Sequence, residues 1–403
     1  IYESLFREEF PPVSTAEWMA VVEKDLKGAD FEKRLVAKTE DGLRIQPIYR
    51  SENSNPVPVP VPRRPWRIRQ TVAATTIGDA NSLARDALNR GAEELEFVLA
   101  PGGYAIETQD DLHALLDGIF LEMVPVNLDG GPATPVLGGM FAAEVERRRV
   151  PPDAVNGCFV FDPLLDACSG CSDVDLESAL DVVPTWFRDV SAALPKFKSL
   201  AVGAGRFQEA GAGVTQDLAF GIAVLVEYLA KLRSEGVDLE GAAGKIQLRF
   251  AVGSQYFLEI AKLRAARLLA EKVCEAFGVG NARPEIYAAT SRSTKTVYDP
   301  YVNMLRATTE SMAAAIAGAD SIDVEPYDSV FRVPDSFSQR IARNTQILLR
   351  EESYLDKTTD PLAGAYAVEA LTESVAERSW HLFQEIEGMG GFIAAWKAGF
   401  VQS

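Results

Sequence analysis

Cysteine is scarce in this 403-residue chain: only Cys158, Cys168, Cys171 and Cys274 occur. Four cysteines cannot staple a chain of this size, and their low use fits a reducing compartment. Cys168-Ser-Gly-Cys171 has redox or zinc spacing, but with no second pair and no nearby histidine it cannot complete a tetrahedral site and reads as a loop with two free thiols. Basic charge is short as well. Against 58 Asp and Glu stand 40 Lys and Arg, a net charge of -18, which argues against nucleic acid or an anionic membrane surface as the main partner. No apolar run approaches the ~20 residues of a membrane span, and the opening IYESLFREEF has neither the basic nor the apolar part of a signal peptide. The expectation is a cytoplasmic protein. What remains, 47% hydrophobic and 24% charged residues, is an ordinary globular composition able to bury a large core.

The organising stretch is 245–274. Ile246, Leu248, Phe250 and Val252 alternate with Lys245, Gln247, Arg249 and Ala251, so one strand face is oily and the other polar. After Gly253 the period becomes helical, with Phe257, Ile260, Ala261, Ala265, Leu268 and Leu269 on one stripe and Lys262 and Arg264 off it. This is one βα unit, and from Arg67 onward it repeats. Strands are expected at 67–73, 94–100, 123–128, 157–162, 199–203, 245–253, 285–290 and 321–325. Helices are expected at 79–90, 110–119, 137–149, 174–193, 215–234, 254–277, 299–317 and 336–352. Eight alternating units fit a (β/α)8 TIM barrel. A doubly wound open sheet is the runner-up, but no glycine fingerprint of a dinucleotide site follows the first strand.

Two domains follow from this pattern. Residues 1–62 form an N-terminal arm, with a helix after the Ser14/Thr15 cap, a hairpin around Asp41-Gly42, and the strap Pro56-Val-Pro-Val-Pro-Val-Pro62. The strap is either a linker or a band laid over the main domain or over another chain. Residues 63–403 form the barrel and its C-terminal helices, the last bearing Val368, Leu371, Val375, Trp380 and Phe383.

If the oily strand faces lie under the helices, the polar ones meet on the axis. Those are Lys245, Gln247 and Arg249, with Arg67, Arg69 and Thr71 on the first strand, Glu94 and Glu96 on the second, and Asp323 and Glu325 on the eighth. Most barrels fill this space with branched apolar side chains. Either the axis is a wet channel for a polar ligand, or acids and bases pair and close it, and the bulk of both signs favours closure. Gly203-Ala-Gly205, Gly211-Ala-Gly213 and Asp129-Gly-Gly131 read as turns after barrel strands rather than anion cradles.

Several segments together resemble the adenosylcobalamin-dependent acyl-CoA mutase family, in which methylmalonyl-CoA mutase is placed. They are Arg64-Pro-Trp-Arg-Ile-Arg-Gln70, Gln208-Glu-Ala-Gly-Ala212, Glu259-Ile-Ala-Lys-Leu-Arg-Ala-Ala-Arg267, Arg340-Ile-Ala-Arg-Asn-Thr345 and Asp360-Pro-Leu-Ala-Gly-Ala-Tyr366. The resemblance covers most of the chain. It implies a (β/α)8 barrel with acyl-CoA threaded along the axis and cobalamin held at one mouth by a flavodoxin-like domain, which is not expected in these 403 residues.

At the family's chemical positions the chain departs from the pattern. The Tyr-His pair becomes Gly205-Arg206, and the tyrosine after Ile-Arg-Gln becomes Thr71. The carboxylate-binding arginine and nearby serine become Lys245 and Gln247, and His-Cys-Gln on the seventh strand becomes Tyr287-Ala288-Ala289. On the fourth strand the glycine-rich sequence with its glutamine becomes Gly157-Cys-Phe-Val-Phe-Asp162. A radical rearrangement needs its substrate clamped and water excluded, and Arg206 cannot serve as a general acid at neutral pH. The lower-ligand motif for cobalamin finds a poor echo at Asp111-Leu-His113, inside an amphipathic helix, and His381 on the tail helix is equally ordinary. No catalytic, cofactor-binding or metal-binding residue is therefore expected. Arg64, which matches a CoA-contacting arginine, reads as a structural residue or a relic of substrate binding.

Heterodimeric members pair a catalytic large subunit with a similar small subunit that keeps the fold. Asp299-Pro-Tyr-Val-Asn303 and the acidic, proline-strapped start resemble that small subunit. On this reading the chain binds no cofactor alone, adenosylcobalamin sits in the larger homologous partner, and self-association of the isolated chain stays open. One alternative is an acyl-CoA mutase barrel working with a separate cobalamin-binding chain, Arg206 recognising an unusual acid. Another is a free-standing acyl-CoA-binding module. An open axial channel favours the alternatives, and one crossed by Lys245, Arg249 and carboxylates the first reading.

Overall fold

The computed structural model describes residues 11, 13–53, 58–62, 64–72, 74–99, 105–171, 174–279 and 283–403. Eight parallel strands make the barrel: β1 (Arg67–Val72), β2 (Glu94–Val98), β3 (Val126–Asp129), β4 (Gly157–Phe159), β5 (Leu200–Val202), β6 (Ile246–Val252), β7 (Glu285–Thr290) and β8 (Ser321–Asp323). Their order around the sheet is β4-β3-β2-β1-β8-β7-β6-β5. A parallel bridge between Cys158 and Lys198, just ahead of β5, joins the two ends into a closed ring. The expected (β/α)8 TIM barrel is thus observed. The ends of the expected first and second strands, at residues 73 and 100, lie outside the described residues.

Helices α1 (Ile77–Asn89), α2 (Gln109–Leu116), α3 (Thr134–Arg147), α4 (Val183–Ala193), α5 (Val214–Ser234), α6 (Tyr256–Ala276), α7 (Val302–Ile316) and α8 (Ser336–Glu351) follow the strands in turn. The helix expected over 174–193 is two, Leu176–Asp181 and α4. Pro184 explains the break, since it has no N–H to donate to the carbonyl four residues back. A further short helix, Pro163–Cys168, begins right after β4.

Two tail helices, α9 (Tyr366–Gly388) and α10 (Phe392–Lys397), lie outside the barrel wall, α9 along both α5 and α6. Lys262 and Arg264 fall off the apolar stripe of α6, yet both are buried. Arg264 is covered by α9, its Nη2 bonding Glu369 Oε1 at 2.9 Å, while Lys262 turns to α5, its Nζ 2.8 Å from Asp217 Oδ2. Phe257, placed on the stripe, is instead 55% exposed.

The arm has its expected helix, Thr15–Leu26, capped by Ser14, and its expected hairpin, with Ala37–Lys38 paired antiparallel to Arg44–Ile45. Residues 56 and 57 of the strap lie outside the described residues. Farther on, Val61 rests on Gly318, in the turn between α7 and β8, so this part of the strap lies over its own barrel.

Candidate functional site

Strand register puts acids beside bases. Arg69 stands opposite Glu94 on the neighbouring strand, Thr71 opposite Glu96, Asp323 opposite Arg69 and Gln247 opposite Glu285. Since alternate side chains turn to the axis, these meet inside the ring. Arg69 Nη2 bonds Glu94 Oε1 at 2.6 Å, and its Nη1 bonds Glu96 Oε2 at 2.6 Å. Arg249 reaches Glu96 through Nη2 at 2.7 Å and Nη1 at 3.0 Å. Both guanidinium carbons lie over the Tyr287 ring, 4.1 and 4.0 Å from its centroid. Toward the N-terminal mouth, Glu285 binds Arg67 at 2.7 Å, Lys198 at 3.1 Å and Gln247 at 3.0 Å, while Arg67 Nε returns to Glu94 at 2.7 Å.

The axis is therefore closed by paired charges, the second of the two readings left open by the strand pattern. Arg69, Glu94, Glu96, Asn127 and Gln247 are all at most 3% exposed, which a water-filled channel would not allow. Four cations, Arg67, Arg69, Lys198 and Arg249, meet the carboxylates of Glu94, Glu96 and Glu285. Burial pushes each carboxyl up, but the arginines hold Glu94 and Glu96 below the usual range, and Lys198 with Arg67 brings Glu285 to about 2. Asp323 has no such partner. Burial drives it up to about 7, the Thr71 hydroxyl that donates to it opposes the rise, and the nearby Glu96 charge adds to it.

Lys245 is a correction. It belongs to a 3-10 turn before β6 rather than to the strand, and its Nζ donates to the Pro195 carbonyl at 2.7 Å, away from the axis. The cation missed in its place is Lys198. It precedes the apolar run of β5, so strand alternation gave no signal for it. Glu285 and Tyr287 were within reach, since the alternation applied to β6 also runs through β7.

At the C-terminal mouth, where barrel enzymes place their chemistry, a cavity of about 570 Å³ reaches down to Arg249 and Tyr287. Gly205, Arg206, Ala289 and Glu325 line it. Gly205 has no room for a side chain, because a Cβ there would lie 2.3 Å from the Ala251 amide nitrogen. Arg206 Nη1 bonds Asp166 Oδ1 at 2.8 Å. Burial pushes the carboxyls of Asp129, Asp162 and Glu325 upward. Asp162 is also structural, accepting from the Gly203 and Leu165 amides and the Tyr228 hydroxyl. Arg64 sits 57% exposed at the opposite mouth, 3.7 Å from Glu285 and 3.8 Å from Asp320. His113 is on α2, bonded to Glu144 at 3.0 Å, and His381 is on α9, so neither faces the mouth. Among the described residues no group of three metal-ligating side chains forms, and no helix is long and apolar enough to cross a membrane.

Fold and axis together define a (β/α)8 barrel with an ion-paired interior. Residues 56–403 match the family described as Methylmalonyl-CoA mutase, and the chain belongs to that family. It is 39% identical over 422 residues to the methylmalonyl-CoA mutase small subunit of Porphyromonas gingivalis, covering 99% of this chain and 67% of the relative. The small subunit of Streptomyces virginiae is 35% identical over 416 residues, covering 98% and 66%. Methylmalonyl-CoA mutase of Cereibacter sphaeroides is 32% identical over 423 residues, covering 95% and 59%. The chain thus spans about two thirds of the small subunits' length and less of the third relative.

Proposed function

We propose that this chain is the non-catalytic small subunit of a two-chain methylmalonyl-CoA mutase, supporting the assembly and stability of a larger homologous subunit that carries adenosylcobalamin. The observation that carries the reading is the filled axis. Where the resemblance implies a thread of acyl-CoA, Glu96 and Arg249 bond each other across the ring and Arg69 lies beside them. The mouth supports it further: Thr71 is bonded to Asp323, Arg206 to Asp166, and Gly205 leaves no space for an aromatic ring. These residues do not fit a cobalamin either, both histidines standing away from the mouth. Four unpaired cysteines agree with the cytoplasm. An acid substrate recognised by Arg206 is disfavoured, because Asp129, Asp162 and Asp166 already surround that guanidinium.

The test is to purify the chain alone and co-expressed with a larger homologous chain. Alone, it should neither isomerise methylmalonyl-CoA nor change the absorbance spectrum of added adenosylcobalamin. Together, the two should elute as one species. Turnover by the isolated chain, a cobalamin spectral change on mixing, or two separate elution peaks on co-expression would each contradict the proposal.

A further inference from the structure

Asp41 sits at the turn of the arm's hairpin, yet its carboxylate ends on the barrel. Oδ2 accepts from the Thr215 amide at 3.0 Å and from the Thr215 hydroxyl at 2.9 Å. Thr215 is in the first turn of α5, whose N-cap residue, Gly213, has no side chain to satisfy the free amides there. The cap that α5 lacks arrives from 174 residues away. The fit is close, since a Cβ on Gly213 would lie 2.8 Å from that oxygen. Within the hairpin, the Gly42 amide bonds the Thr39 carbonyl at 3.1 Å, the Leu43 amide bonds the Thr39 hydroxyl at 2.9 Å, and Leu43 is buried in the core. The arm's helix, Thr15–Leu26, buries no residue.

The segment leading into α5 begins as a short helix, Gly205–Glu209, and the amides of Ala210, Gly211 and Ala212 bond back to its carbonyls. Its first half is tied to the barrel: Gln208 bonds Glu259 and Lys262, and Glu209 accepts from Ser291, Arg292 and Ser293 after β7. Its second half, residues 210–212, lines another cavity of about 530 Å³ beside the mouth, together with Arg206, Phe207 and Gln216. That half runs into the turn held by Asp41.

The geometry points to the N-terminal arm acting as a latch on the barrel mouth. With Asp41 engaged, residues 213–216 are held and Gln216 gives the second cavity a fixed edge. With the arm lifted, α5 loses its cap and that edge loosens. By thermodynamic linkage, a molecule bound in the cavity and a force drawing the arm away act on each other's equilibria.

Amide hydrogen exchange on the full chain tests this with D41A, D41N and G213A. D41A should exchange about five- to tenfold faster over residues 36–45 and 213–217, the scale of a lost cap. Residues 205–209 and 253–262, tied down separately, should not change. D41N keeps an acceptor and should resemble the unaltered chain. G213A, at a φ of −71° that alanine adopts without strain, should displace the carboxylate and reproduce D41A. If D41A does not fold, D41N against G213A makes the same comparison. Acceleration confined to the hairpin, acceleration spread equally over 205–209 and 253–262, or a silent G213A would overturn the latch.

Discussion

Glu96 and Arg249 bond each other across the full width of the barrel. They stand on β2 and β6, four strands apart in a ring of eight, with Nη2 to Oε1 at 2.7 Å and Nη1 to Oε2 at 3.0 Å. A strut of this kind resists widening of the ring. Its carboxylate serves two arginines, because Arg69 divides between Glu96 and Glu94.

Removing that carboxylate should therefore cost more than one bond. Glu96→Ala strands the buried Arg249 guanidinium and strips Arg69 of one of its two carboxylates, and the expected loss is about 3–5 kcal/mol in urea unfolding. A loss below ~1 kcal/mol would show that the axis hydrates freely and the strut carries little.

Asp323 gives the protein a pH signature. Its folded pKa, about 7, is raised above the unfolded value near 4. The folded state thus holds the extra proton, and the contribution is fully present below pH ~4 and lost as pH rises through ~7. Asp323→Asn should remove this slope and stabilise the chain at pH 8 by on the order of 1–3 kcal/mol. Parallel stability curves for the two proteins between pH 5 and 8 would refute the assignment.

Lys262 is fully buried, with Asp217 and Glu259 each 2.8 Å from its Nζ. Lys262→Met leaves two carboxylates without a cation, and a loss of about 3–5 kcal/mol is expected at pH 8. Burial already raises Asp217 to about 6 against the pull of Lys262. Without that cation it rises further, so the variant should regain part of the loss as pH falls from 8 to 5.5. A deficit independent of pH would mean that Asp217 takes up no proton.

Gly205→Tyr restores a residue type of the family's catalytic pattern. Its Cβ falls on the Ala251 backbone, so the variant should lose roughly 2–4 kcal/mol and gain no isomerase activity. A variant as stable as its parent in a thermal scan would show that the loop yields more readily than its packing implies.

The barrel was legible because its signal is local and repeated. Ile246 to Val252 alternate within one strand, and α5 and α6 keep their periods over 21 residues each. The partner taken by each axial charge was not legible, since register and ring closure decide it. Glu96 meets Arg249 only once eight strands have closed. Helical periodicity also finds one face at a time, and Lys262 and Arg264, off that face, are buried by partners distant in the chain, Asp217 on α5 and Glu369 on α9. Asp41 was visible as a turn residue, but nothing near it in the chain names Thr215.

The position of α9 bears on how the chain matures during translation. Arg264 and the outer side of α6 stay uncovered until a helix made about a hundred residues later leaves the ribosome. β8, the stave that completes the ring beside β1, also emerges late. A nascent chain stalled short of Tyr366 thus exposes a charged seam over greasy helices, a form suited to chaperones and to proteolytic clearance.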